Sequence, residues 1–140
     1  MRKSKINISG FKIGTAENRE GLTGVTVILA PDGGATAGVD VRGCAPGTRE
    51  TDLLDPRKTV QKIHAVVLSG GSAFGLEAAS GCVKYLAEQG VGFPIGNVCV
   101  PIVCSAVLFD LMIGDEKAYP DLLMLSLIHI SEPTRPLYIS

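Results

Sequence analysis

Residues 24–30 (GVTVILA) form an apolar, β-branched run, and that composition predicts a strand. Pro31-Asp32-Gly33-Gly34 follows as a turn, with glycines available for positive φ. Residues 36–42 (TAGVDVR) then predict a second strand, so the two runs are expected to pair as a hairpin. Residues 43–56 (GCAPGTRETDLLDP) are rich in Gly, Pro and charge and predict a loop of a length often tied to function. A short helical turn is expected over residues 57–63. It leads into residues 64–69 (HAVVLS), whose unbroken apolar character predicts a strand buried on both faces. Beyond Gly70-Gly71-Ser72 the pattern changes period. Leu76, Ala79, Val83 and Leu86 recur three or four residues apart, which predicts a helix over residues 73–89 with one apolar face. Gly90 stands where a helix-ending glycine belongs. Residues 91–109 are apolar with interspersed Gly and Pro, which suggests short strands and turns, and no internal repeat is present.

Composition narrows the class. The chain has 140 residues, 46% hydrophobic and 19% charged, with a net charge of -1. That is the profile of one soluble globular domain, large enough for a core. Near-neutral charge without a basic cluster argues against nucleic acid or an anionic membrane as partner. The basic N-terminus has no apolar run behind it, so it lacks the core of a secretory signal and a cytoplasmic location is expected. The longest apolar run, residues 98–109, is interrupted by Pro101 and falls short of a membrane span. Cys44, Cys82, Cys99 and Cys104 are irregularly spaced, which predicts free buried thiols and offers no zinc pattern. His64, at the head of an apolar strand, is expected to be a hydrogen-bonded structural histidine. No metal or other cofactor is expected.

The last residues are of a different material. Residues 125–135 (LSLIHISEPTR) read as the in-frame translation of a sequencing-library adapter, with a variable index over 136–138 and a second constant part at 139–140. Residues 125–140 are therefore expected not to belong to the natural protein, and residues 1–124 carry the functional reading. His129, Ser131 and Glu132 are not taken as a catalytic triad.

The most informative local feature is strand, then Ser69-Gly70-Gly71-Ser72-Ala73-Phe74-Gly75, then helix. A Walker phosphate loop would need Lys after Gly75, but Leu76 and Glu77 follow. The glycines at 70, 71 and 75 do not make the Rossmann spacing, and Phe74 breaks the nucleophile-elbow pattern. What remains is general: backbone N–H groups ahead of a helix that face a carboxylate or the oxyanion of acyl transfer. The plainer alternative, and on the residues alone the commoner one, is a tight turn with Ser72 as helix N-cap. The charged stretch 48–52 reads either as a solvated loop with local ion pairs or as a lip over a site or subunit interface. Asn97 reads as a side-chain donor or, more commonly, a turn residue.

Taken together, residues 20–30 (EGLTGVTVILA), 37–56 (AGVDVRGCAPGTRETDLLDP) and 64–79 (HAVVLSGGSAFGLEAA), continued by Gly92-Phe93-Pro94 and residues 100–111 (VPIVCSAVLFDL), resemble the DmpA-type L-aminopeptidase/D-esterase family. The likeness covers nearly all of residues 14–115. It departs from the family pattern at Thr15, where His is common, at Cys44, where Gly is, and at Cys104, where Pro is. The resemblance implies part of an αββα four-layer sandwich, related to ornithine acetyltransferase. It also implies a precursor that cuts itself into two chains, exposing a Ser or Thr that attacks the acyl group. Substrates would be amino-terminal residues of small peptides, amides or esters, the whole protein would be a homo-oligomer, and no metal would be needed. On that basis the nucleophile lies downstream of these residues, so the 140 residues alone are expected to be inactive. Gly70, Gly71 and Ser72 would line the substrate pocket, with Gly71 N–H as an oxyanion contact. Two other functions stay open: an acetyltransferase of the sister family, and a small anion- or nucleotide-binding domain using the Gly70–Gly75 turn.

Overall fold

A computed structural model describes residues 8–125. Among them, in chain order, lie strands β1 (Lys12–Asn18), β2 (Thr23–Leu29), β3 (Thr48–Arg49) and β4 (Ala65–Ser69), helix α1 (Ala78–Glu88), and strands β5 (Phe93–Ile95), β6 (Val98–Val100) and β7 (Val103–Val107). Short 3-10 helices occupy Asp52–Leu54 and Ser72–Glu77. Strands β1, β2, β4, β7 and β3 make one sheet in that order, and β5 and β6 form a separate hairpin.

The β-branched β2 pairs on both edges, antiparallel to β1 on one side and to β4 on the other. Beyond β4 comes β7, parallel, with Ala65 beside Val103 and Val67 beside Ser105. A parallel pair needs a crossover, and α1 with the β5–β6 hairpin supplies it. The register puts Val25, Val27, Ala65, Val67 and Val103 on one face, where Ala78, Ala79, Cys82 and Leu86 of α1 bury them. Leu125, in a helical stretch over residues 122–125, completes this core and sits against Gly81, where an added Cβ would lie 3.1 Å from Leu125 Cδ2. Residues 126–140, with His129, Ser131 and Glu132, lie outside the described residues.

The opposite face carries Ile13, Ile28, Val66 and Leu68, and among the described residues no α-helix lies on it; residues 37–42 and the short 3-10 turn reach only its Val66 and Cys104 end. Val66 is half-buried and Leu68 is 44% exposed, so the expectation that residues 64–69 are buried on both faces is corrected. Among the described residues α1 and the helical stretch over 122–125 cover the sheet, both on one side. The predicted hairpin is also corrected. β2 is in a hairpin, but as its second strand: its partner is β1, joined through residues 19–22, with Asn18 Oδ1 accepting from Gly21 N–H at 2.9 Å. Residues 36–42 form no strand, because both edges of β2 are already taken. Ala35 alone makes a bridge, to Ile63, and the segment then runs over the open sheet face to wall a cavity of about 410 Å³ with Val66, Cys104 and Ala106.

Residues 57–63 are a bend and an extended stretch rather than a helical turn. Asp55 Oδ1 accepts from Arg57 N–H at 3.0 Å, a side-chain bond that competes with helix initiation. The predicted helix is shorter than expected at its start: residues 72–77 are 3-10, and α1 proper begins at Ala78. Its end is as predicted, with Gly90 at φ 68 and Gly90 N–H donating to Ala87 O. Residues 91–109 hold short strands and a turn in which Gly96, at φ 57, takes the unusual dihedral and Asn97 beside it is an exposed turn residue.

The small residues behave as their settings require. His64 is buried, its Nδ1 accepts from Ile102 N–H at 3.1 Å, and burial pushes its pKa below the ordinary imidazole value. All four cysteines are free, but only Cys82 and Cys104 are buried; Cys99 is half-buried and Cys44 exposed. Burial pushes the Cys82 thiol up to about 12, and burial together with Glu50 pushes Cys104 to about 11, so neither is a ready thiolate. Among the described residues no helix is long and apolar enough to cross a membrane.

Candidate functional site

The glycine turn stands at the carboxyl end of β4, beside the carboxyl end of its parallel neighbour β7. Two backbone bonds stitch it to the segment after β7: Leu108 N–H donates to Ser69 O at 2.8 Å, and Ser72 N–H donates to Leu108 O at 2.9 Å. A third, Gly70 N–H to Gly24 O at 2.9 Å, ties it to β2. The remaining amide, Gly71 N–H, donates to Asp110 Oδ1 at 2.6 Å, while Thr23 Oγ1–H donates to Asp110 Oδ2 at 2.8 Å. One carboxylate thus fastens β2, the turn and the strand-end after β7 together.

The sequence of the turn follows from this crowding. A Cβ on Gly70 would collide with Asp110 Oδ2 and Thr23 Oγ1, and one on Gly75 with Gly70 O. Gly71 takes φ 83, where an added Cβ would come within 2.5 Å of Tyr119 Cβ. Ser72 is also left-handed, at φ 53, and is the first residue of the 3-10 helix, so it is not the N-cap; Gly71 holds that place. Phe74, 57% exposed, stacks on Tyr119 with ring centroids 4.8 Å apart.

Of the residues proposed to line a pocket, Gly70 borders a depression of about 480 Å³ shared with Glu17, Arg19, Leu22, Thr23, Leu108 and Asp110. Gly71 and Ser72 lie beside it, with their N–H groups already donating within the chain. The serines are not presented as nucleophiles. Ser69, 1% exposed, donates its Oγ–H to Gly70 O at 3.0 Å, and Ser105 is 3% exposed with its hydroxyl unpartnered among the described residues. Sequence reasoning missed Asp110 and Thr23. The signal available was an acid closing the apolar run 98–109, where a charge otherwise has no reason to stand.

The charged stretch 48–52 is not a solvated loop. Thr48–Arg49 is an edge strand on β7, Arg49 donates to Ser80 Oγ of α1 at 2.7 Å, and Glu50 O accepts from Cys104 Sγ at 3.3 Å. The exposed ion pairs lie elsewhere, as between Asp55 and Arg57.

A mixed α/β sheet with a glycine turn at the end of its parallel pair defines the class of scaffold. Residues 5–120 match Peptidase family S58, and the chain belongs to that family. It is 53% identical over 97 residues to an uncharacterized aminopeptidase of Mycobacterium leprae (strain TN), a stretch that is 69% of this chain and 26% of the relative. It is 35% identical over 117 residues to a 6-aminohexanoate-oligomer endohydrolase of Kocuria sp. (strain KY2), covering 84% of this chain and 30% of the relative. A 6-aminohexanoate-oligomer endohydrolase of Agromyces sp. (strain KY5R) is 36% identical over the same length, with the same 84% and 30% coverage. The chain spans between a quarter and a third of the length of these curated relatives. The motifs that resembled DmpA-type peptidases thus belong to a chain of this peptidase family.

Proposed function

We propose that the whole protein is a self-processing hydrolase of the amide or ester bond following an amino-terminal residue in small peptides, amides or esters, and that these residues furnish the front of its α chain. The observation that carries the reading is the depression beside Gly70, rigidly framed by Asp110, in a chain of a peptidase family. The aminopeptidase name of the mycobacterial relative supports the amino-terminal preference, and the endohydrolase names support cleavage of amide-linked oligomers.

The acyl-attacking hydroxyl is supplied by a part of the polypeptide outside these residues. In support, Ser69 and Ser105 are buried and Ser72 has no base bonded to it. The turn's contribution is shape: Gly70 offers a wall without a side chain where the acyl group is held. Gly71 N–H, occupied by Asp110, would serve as an oxyanion donor only if that carboxylate moved aside. The open sheet face with Ile28, Val66 and Leu68 supports the four-layer αββα sandwich, since a second sheet packed there would bury it. A homo-oligomeric cytoplasmic enzyme without metal or other cofactor completes the proposal, together with residues 125–140 as a foreign tail. The burial of Leu125 is neutral on that last point, because any apolar side chain at that place finds the same core.

The test is expression of the whole protein from an intact gene. Two chains on a denaturing gel, an amino-terminal Ser or Thr on the second, and release of p-nitroaniline from an amino-acid p-nitroanilide are expected, with no turnover by the 140-residue chain. A single uncut chain that acetylates ornithine, or turnover by the 140 residues alone, would sink the reading.

A further inference from the structure

Two carboxylates border the depression beside Gly70, and they differ in what surrounds them. Glu17 has a side chain 65% exposed and is paired with Arg19 at 2.7 Å. Asp110 is half-buried, and its bonded partners are the neutral donors Gly71 N–H and Thr23 Oγ1–H. The ion pairs among the described residues join Glu17 to Arg19, Asp40 to Arg42 and Asp55 to Arg57, and none reaches Asp110. Neutral donors orient a carboxylate without cancelling its charge, and each oxygen keeps acceptor capacity after one bond.

The surroundings say what the charge meets. The cation already on the depression, Arg19, is taken up by Glu17, and Leu22 and Leu108, 57% and 70% exposed, stand on the same depression, so a cation seated at Asp110 has apolar surface beside it. An α-ammonium next to an apolar side chain has that chemistry; a metal ion, which needs several oxygen ligands, does not. Fixation from three elements also means that the carboxylate need not be ordered on binding, which removes a cost that a flexible surface acid would carry.

We infer that Asp110 is the residue that selects substrates with a free amino terminus, its carboxylate accepting the α-ammonium while Gly71 and Thr23 hold it in place. The inference rests on the hydrolase reading above and assigns the specificity of that same site.

The experiment uses the whole protein and two substrates differing only in the ammonium: leucine p-nitroanilide and 4-methylpentanoic acid p-nitroanilide. The expected result is a kcat/KM preference of about tenfold or more for the leucine compound, as for a charged hydrogen bond. In Asp110→Asn that ratio should fall towards one, mainly through KM for leucine p-nitroanilide. Propylammonium chloride should compete with leucine p-nitroanilide in the parent and lose that effect in the variant. Equal losses on both substrates in Asp110→Asn would leave Asp110 a mere brace, and absence of any preference in the parent would overturn the inference without the variant. If Asp110→Asn fails to fold, the substrate pair and the propylammonium competition in the parent decide alone. If the parent cleaves neither compound, the hydrolase reading fails. Calorimetric titration with propylammonium then still decides for Asp110: binding supports it and no binding overturns it.

Discussion

At the scale of single residues, two positions respond to change for different reasons. Gly71 combines a left-handed φ of 83 with Tyr119 Cβ at 2.5 Å from where its own Cβ would stand. Gly71→Ala is therefore expected to lower stability by about 1–3 kcal/mol, the usual cost of a forced backbone conformation. A lowered urea midpoint at unchanged slope in the whole protein would show it, and an unchanged midpoint would mean the turn relaxes freely. His64 responds to pH instead. Burial lowers its folded pKa, so the unfolded chain takes up the proton first as pH falls. Its contribution is level above the unfolded value of 6.5, shrinks as pH drops below that, and levels off once the folded state is protonated too. His64→Asn keeps an acceptor for Ile102 N–H but does not titrate. Melting temperatures at pH 7.5 and 5.5 should fall further in the parent than in this variant; parallel falls would remove His64 as the cause.

At the scale of elements, legibility tracked how far each segment's own composition decides its structure. Residues 24–30 and 64–69 are β-branched and apolar enough to be strands in almost any context, and both are. Gly90 ends α1 because a left-handed residue is needed there, a local demand written in a local residue. β1 was not visible, because Lys12, Gly14, Ala16 and Asn18 are poor strand formers and the segment is a strand only by pairing with β2. Residues 36–42 erred the other way: their pattern suits a strand, but β1 and β4 hold both edges of β2. The site was half legible. Gly70-Gly71-Ser72 announces itself, whereas Asp110 reaches it only through pairing of β4 with β7, which joins positions 39 residues apart.

At the scale of the whole molecule, among the described residues one sheet face is covered by helix and the other is left partly open. Leu68, 44% exposed on the open face, gives that asymmetry a sign test. Leu68→Lys should make the 140-residue chain more soluble, because it interrupts an apolar surface that invites association. In the whole protein the same change should cost about 2–4 kcal/mol if a second sheet buries that position, through an unpaired charge in a packed interface. Sedimentation of the short chain and urea melts of the whole protein read the two effects, and a change that is harmless in both settings would argue against the sandwich.

The bond from Thr23 to Asp110 also spans 87 residues, and that separation has a consequence during synthesis. At about 5–20 residues per second, a ribosome adds the second partner roughly 4–17 seconds after the first. Through that interval the early β-hairpin waits on the nascent chain with Val25 and Val27 uncovered and no depression beside Gly70 in existence. The proposed site is thus a late product of translation, and until then the early hairpin presents apolar surface that invites association.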